Sequence, residues 1–185
     1  MRIAVAFHSG YGHTARQAKA VADGVREAQG VQALLVDVGL EPIAWDDLRQ
    51  SDGIIFGCPT YMGSPSAVFK KFMEESSSRW MKQEWADKVA AGFTNSSSQS
   101  GDKLNTLISL AVFAAQHSMI WVGTGMMPSN SKAAARGDIN YLGSFSGAMA
   151  QSPSDASPAE MVEGDLEMAR LFGARVNDVA GKFAR

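Results

Sequence analysis

Short apolar runs alternate with stretches of helical periodicity along most of this chain, and that alternation narrows the fold more than any other feature. The run Ile3-Ala4-Val5-Ala6-Phe7 is apolar on both sides of its pleat, as a strand buried on two faces must be. A helix is predicted from about residue 14 to residue 29, where Ala15, Ala18, Val21, Ala22 and Val25 share one stripe and Gly30 supplies a C-cap. Residues 33–38 and 54–58 read as the second and third strands, with a short helical piece around residues 45–49 between them. Ser64-Pro65 reads as a helix start with proline at its first position, and Val68, Phe69, Phe72 and Met73 as that helix's apolar face. Residues 89–93 form a fourth strand, Leu104, Leu107, Ile108 and Ala111 mark the next helix, and residues 119–122 form a fifth strand. The last helix is expected to open at Ser157-Pro158-Ala159-Glu160, a capping-box pattern. Its buried face carries Met161, Met168, Leu171, Phe172, Val176 and Val179.

Strands alternating with helices imply right-handed crossovers and an α/β fold: an open, doubly wound five-stranded parallel sheet with helices on both faces. At 185 residues the chain is expected to form one domain. The stretch from about 128 to 158 is irregular and rich in Ser, Gly, Ala and Asn. It reads as an insertion of the kind that serves as a lid, binding loop or subunit contact. Tyr141, Leu142, Phe145 and Met149 argue that it packs rather than floats.

Charge and cysteine content exclude several functions. Lys plus Arg is 17 and Asp plus Glu is 19, a net charge of −2, which is not the basic footprint of a nucleic-acid binder. Cys58 is the single cysteine, so no disulfide framework or multi-cysteine cluster can form, and it reads as a small buried residue rather than a reactive thiol. His8, His13 and His117 show no paired ligand spacing, and no metal site is expected. No secretory signal or membrane span is read, and a cytoplasmic location is the expectation.

In an open parallel sheet, ligands bind beyond the carboxyl ends of the strands. Three loops leave those ends. The first is Ser9-Gly10-Tyr11-Gly12-His13-Thr14, whose glycines let backbone N–H groups curl inward. Its two hydroxyls and the following helix N-terminus suit a phosphate. The Lys-Ser/Thr ending of a nucleoside-triphosphate loop is absent. The second runs from Cys58 through Pro59, Thr60, Tyr61, Met62 and Gly63 to Pro65, and offers an aromatic ring and a thioether to a planar ligand. The third, with Asn95, Ser96, Ser97, Ser98, Gln99 and Ser100, is polar and uncharged and can line a heterocycle bearing carbonyl and N–H groups. A rival reading takes Gly10, Gly12 and Ala15 as a dinucleotide fingerprint with Asp37 as its ribose-binding acid. The preferred reading leaves Asp37 a solvated strand-end carboxylate.

Together these loops resemble the flavodoxin-like fold with bound flavin mononucleotide, strand order 2-1-3-4-5. More narrowly, the chain resembles the NAD(P)H:quinone oxidoreductases of the tryptophan-repressor-binding-protein (WrbA) family. The resemblance rests on residues 9–14, on Phe56-Gly57-Cys58-Pro59-Thr60, on Gln116-His117-Ser118-Met119 and on the insertion from Tyr141. It implies that residues 9–14 hold the FMN phosphate and that Tyr11 also lies near the nicotinamide. It further implies that Thr60, Tyr61 and Met62 contact the isoalloxazine, and that Asn95 to Ser100 meet its pyrimidine side and ribityl chain. Trp80 would wall off the active site of a neighbouring subunit, and His117 would face substrate or flavin. The family forms dimers and tetramers, so a homodimer or homotetramer is implied. This chain has Thr60-Tyr61-Met62 where the family has Thr-Arg-Phe, and its third loop is Ser/Gln-rich rather than Gly/Thr-rich.

The function so implied is two-electron transfer from NAD(P)H to a quinone or similar planar acceptor in two half-reactions sharing one pocket. His117 is read either as a proton donor or as a packed structural histidine. The alternatives are a flavodoxin-type one-electron carrier without a small-molecule substrate, and a flavin-free dinucleotide-binding protein.

Overall fold

A computed structural model describes residues 1–183 of the chain. Four long parallel strands form the sheet: β1 (Arg2–Phe7), β2 (Gln32–Asp37), β3 (Gly53–Tyr61) and β5 (Val89–Ser96), in the order β2-β1-β3-β5. The expected fifth position is filled in two pieces. β6 (Ile120–Trp121) pairs with the first half of β5, Val89 opposite Ile120, and β7 (Ala148–Gln151) pairs with its second half, Phe93 opposite Ala148. By position this is the order 2-1-3-4-5 that was expected. The fourth strand in chain order, β4 (Ser64–Pro65), is a two-residue antiparallel return on β3.

Every residue of β1 from Ile3 to Phe7 is buried because helices cover both faces. Ile3, Val5 and Phe7 point to the side covered by α1 (His13–Val25) and α6 (Glu163–Phe183), against Val21, Phe172 and Val176. Ala4 and Ala6 point to the other side, where Phe56, Phe69, Phe72, Trp85 and Phe113 pack as an aromatic cluster beside Leu110. That side is covered by α2 (Trp45–Gln50), α3 (Ala67–Glu75), α4 (Ser77–Met81) and α5 (Lys103–Gln116). Helices α1 and α6 cross backbone to backbone. A β-carbon on Gly24 would fall 1.8 Å from the Arg170 carbonyl oxygen, and one on Gly173 would fall 2.0 Å from that of Val21.

Several local expectations are corrected. Ser64-Pro65 does not open a helix: Met62 (φ 49°) and Gly63 (φ 78°) form a tight hairpin turn, and Ser66 precedes the first helical residue, Ala67. The first helix stops at Val25, and Gly30 (φ 73°) ends the turn after it. The capping box at Ser157–Glu160 forms, but it closes a single 3-10 turn, and α6 begins at Glu163. Of the expected face of α5, Leu107 is buried but Leu104 and Ile108 are exposed, and the helix buries Leu110 and Ala114 beside Leu107. Within the insertion, β7 is a strand that periodicity did not reveal. The rest is stitched by buried polar groups: Asn140 bonds the Met126 carbonyl and the Ser144 N–H, and the Trp121 indole bonds the Ser146 carbonyl.

Candidate functional site

The three long strands whose carboxyl ends carry the candidate loops, β1, β3 and β5, lie side by side, so those loops share one rim. They enclose a cleft of about 600 Å3, within the range of small-molecule sites. Ser9, Gly10, Tyr11, His13 and Thr14 line it from the first loop, Pro59, Thr60 and Tyr61 from the second, and Asn95, Ser96 and Ser97 from the third.

The anionic end is set by the first loop. Gly12, at φ 92°, turns the chain into α1, whose N-terminus has no side-chain cap and no acid in its first turn. Its free N–H groups therefore carry partial positive charge toward the cleft. Ser9 Oγ accepts the Gly12 N–H at 3.0 Å and holds the turn. A β-carbon on Gly10 would stand 2.5 Å from the Tyr61 hydroxyl, so the bare backbone is what lets the second loop close on the first.

The second loop supplies flat walls. Tyr61 and Tyr11 meet edge to face, centroids 6.5 Å apart, and Tyr11 is 79% exposed at the opening. Beneath them Thr60 Oγ1 lies 2.8 Å from the hydroxyls of both Thr94 and Thr106, and Thr94 donates to the Cys58 carbonyl. The Thr60 hydroxyl thus locks β3 to β5 and α5. Met62 stands fully exposed at the hairpin tip with Gly63, outside the cleft lining.

A fourth wall comes from the end of the insertion, which the sequence marks as a lid, binding loop or subunit contact without indicating the residues that face the cleft. Ser152, Pro153, Ser154, Ala156 and Pro158 form a strap from β7 to the 3-10 turn and line the cleft opposite Tyr61. His13 Nε2 donates to the Ala156 carbonyl at 2.9 Å and Arg16 donates to that of Pro158, so His13 holds the strap. Ser152 bonds the Asn95 amide oxygen at 3.0 Å and its N–H donates to the Ser96 carbonyl. Behind it, the buried Asp165 carboxylate takes both terminal nitrogens of Arg136 and the Gln151 N–H. The only forward signal was the uneven composition of this region, which does not say which way a chain runs.

Other candidate residues lie elsewhere. The third loop turns away after Ser97: the Ser98 and Gln99 carbonyls face the Lys103 ammonium, and Gln99 and Ser100 line a separate groove. Trp80 projects from α4, 43% exposed, and lines no part of the cleft. His117 is corrected. Its ring is 1% exposed, packed 4.2 Å from the Trp85 ring and bonded to Ser76 Oγ, and burial pulls its pKa down to about 4. It is the packed histidine of the two readings and does not face the cleft. Cys58 is fully buried, its thiol pushed up to about 12 by desolvation. Asp37 bonds the Gly39 N–H and lines no part of the cleft, which removes the acid that the dinucleotide reading needs.

Among the described residues, only Tyr11, His13 and Tyr61 bring titratable side chains to the cleft lining, and the His13 ring is held by Ala156. Burial raises the Tyr61 hydroxyl above its ordinary range. The lining therefore binds and orients, with no side chain set as a nucleophile. An uncapped helix end, an aromatic hairpin and an uncharged polar loop at the rim of a 2-1-3-4-5 sheet define a flavodoxin-like protein.

The comparisons narrow this class. The sequence model of the family described as NADPH-dependent FMN reductase matches residues 43–133. The chain is 48% identical to flavodoxin FldP of Pseudomonas aeruginosa, over 93% of this chain and 92% of that one. It is 32% identical to an NAD(P)H dehydrogenase (quinone) of Archaeoglobus fulgidus, over 98% of both chains. It superposes on the crystal structure of a flavodoxin, WrbA-like protein from Agrobacterium tumefaciens with a TM-score of 0.78, at 44% identity and 99% coverage of both. The chain belongs to the WrbA-like family of FMN-binding NAD(P)H:quinone oxidoreductases.

Proposed function

We propose that this cleft holds FMN by its phosphate end and that the chain passes two electrons from NAD(P)H to a quinone or similar planar acceptor. The observation that carries the reading is the convergence of the uncapped α1 terminus, the Tyr11–Tyr61 pair and the uncharged Asn95–Ser97 segment on one cleft. The residues present fit the group: the glycine loop leaves room for an anion, and the polar third loop can meet a heterocycle's carbonyl and N–H edge.

In this reading the N–H groups of residues 10, 11, 13 and 14, with the Ser9 and Thr14 hydroxyls, hold the phosphate, and Gly12 shapes the turn through its bond to Ser9. His13 serves them by pinning the strap. Pro59, Thr60 and Tyr61 position the ring system, and Met62 and Gly63 fix the hairpin that presents Tyr61. Asn95, Ser96 and Ser97 meet the polar edge, while Ser98, Gln99 and Ser100 shape the turn behind them. FMN, when bound, supplies the hydride-accepting and electron-donating chemistry. Tyr11 and Tyr61 orient NAD(P)H and acceptor in turn at the opening, which supplies proximity rather than acid–base catalysis.

The finer points belong to the same proposal. Residues 1–185 act as one domain with its insertion at about 128–158. The protein works in the cytoplasm as a homodimer or homotetramer, with Trp80 reaching a neighbour's site. Among the described residues no helix is long and apolar enough to cross a membrane.

The test is the absorbance spectrum of purified protein followed by steady-state turnover of NADH or NADPH with a quinone. Flavin absorption and parallel double-reciprocal lines are expected. Intersecting lines would overturn the shared-pocket scheme. The name of the Pseudomonas aeruginosa relative favours a second reading, a flavodoxin that carries single electrons. Flavin absorption without NAD(P)H oxidation would select it.

A further inference from the structure

Lys103 is wholly buried, an uncommon place for a lysine. It is the first residue of α5, and it reaches back under the third loop because Gly101 (φ 56°) and Asp102 (φ 54°) both turn left-handed just before it. Its ammonium donates to Ser96 Oγ at 2.9 Å, to the Ser98 carbonyl at 2.9 Å and to the Gln99 carbonyl at 2.8 Å. Three N–H groups thus meet three acceptors, and all three acceptors belong to the turn that leaves the cleft. The turn is drawn tight: Ser96 Oγ also donates to the Ser98 carbonyl at 2.9 Å, and a β-carbon on Gly101 would fall 2.2 Å from that Oγ. Ser96 itself lines the cleft, so the ammonium stands one hydroxyl away from it.

We infer that Lys103 is a positioning residue for the cofactor, its ammonium clamping the Ser96–Gln99 turn in the shape that receives the cofactor's polar edge. This rests on the reading of the cleft as the FMN site. The clamp depends on the proton. An ammonium donates three charge-assisted bonds, whereas the neutral amine has two N–H groups and no charge, so one acceptor loses its bond to Lys103 and the other two are held more weakly. Burial lowers the Lys103 pKa to about 8, opposed by the Asp165 carboxylate on α6 and assisted by Arg136 of the insertion. Asp165 and Arg136 are paired with each other, and Asp102 is the remaining acid beside Lys103 on its own turn. The charged clamp is therefore complete at pH 7 and is released as pH rises through about 8.

The experiment measures FMN affinity of the apoprotein by quenching of flavin fluorescence at pH 6.5 to 9, for the wild type and Lys103→Met. For the wild type, affinity is expected to fall about tenfold across that span with a midpoint near 8, at constant circular dichroism. Lys103→Met is expected to bind about tenfold more weakly at pH 7 and to show no such dependence. A pH-independent wild-type affinity overturns the inference whether or not the variant folds. A variant that binds like the wild type with the same pH profile overturns it as well. If the wild type binds no FMN at any pH, the reading of the cleft fails and the inference falls with it, whereas tight binding with a flat profile sinks the inference alone.

Discussion

The hydroxyl of Tyr61 occupies the space where a side chain at position 10 would begin, 2.5 Å from a β-carbon built on Gly10. Because that hydroxyl ends a partly exposed side chain, Gly10→Ala should cost little stability, within about 0.5 kcal/mol. Its effect should fall on the site, since Tyr61 has to swing aside. FMN affinity is expected to drop roughly tenfold, about 1.4 kcal/mol, and to recover in Gly10→Ala/Tyr61→Phe, which removes the colliding oxygen. Fluorescence titration of the three proteins checks this.

Gly12 differs because its constraint is in the backbone. At φ 92° any side chain is strained, and a β-carbon would also sit 2.8 Å from Pro158 Cγ. Gly12→Ala should cost about 1–3 kcal/mol, a fall of several degrees in Tm for a chain of this length. Adding Pro158→Ala should return only the steric part. Full recovery of Tm would show that the left-handed turn is not required.

The crossing of α1 and α6 leaves even less room. At Gly173 the colliding atom is the Val21 carbonyl oxygen, which cannot rotate away. Gly173→Ala should lose about 3 kcal/mol or more, with the helices forced apart. Urea unfolding monitored by circular dichroism measures the loss, and a change below about 1 kcal/mol would contradict the close approach.

His117 titrates near 4 in the folded chain against 6.5 when free, so the unfolded state takes up the proton first as pH falls. Stability from its neutral, buried ring is present above pH 6.5 and is lost between 6.5 and 4, by roughly 3 kcal/mol in all. His117→Phe should flatten that slope while leaving turnover at pH 7 in place, as measured by denaturation at a series of pH values. Loss of turnover in a folded His117→Phe protein would restore the histidine to the chemistry.

The Asp165 carboxylate holds the strap through Gln151 while it pairs with Arg136. Asp165→Asn leaves a guanidinium without its counter-charge. Arg136 retains contact with water, so the cost belongs at the low end of the roughly 3–5 kcal/mol expected for broken buried pairs. Thermal unfolding and FMN titration should both register it, because Ser152 follows directly in the chain.

The parallel sheet and three of the four walls of the cleft were legible because each depends on local pattern. Ile3 to Phe7 is apolar on both faces, and residues 9–14 carry glycines and hydroxyls where a strand meets a helix. Lys103 could not be read the same way. Its burial depends on two left-handed residues before it, Gly101 and Asp102, types that tolerate that conformation but do not by themselves announce it. The strap at residues 152–158 was hidden because its partners, Asn95, Ser96 and His13, are far away in the chain. His117 stood between two readings because the motif around it matched the resemblance: Phe113 is one helical turn away on α5, but Trp85 and Ser76, which close over the ring, come from elements that no local pattern brings to it.

The outermost lane of the sheet is laid in two short lengths, β6 and β7, each held by its own half of β5. Neither register passes through residues 123–147, so the tether can change length at its exposed turns without shifting the alignment of the core, provided Asn140, Ser144 and Arg136 keep their partners. The second length delivers the chain straight to the mouth of the cleft. Selection on what enters the cleft can therefore act at the exposed positions of this tether, while its buried polar groups hold the ends in place.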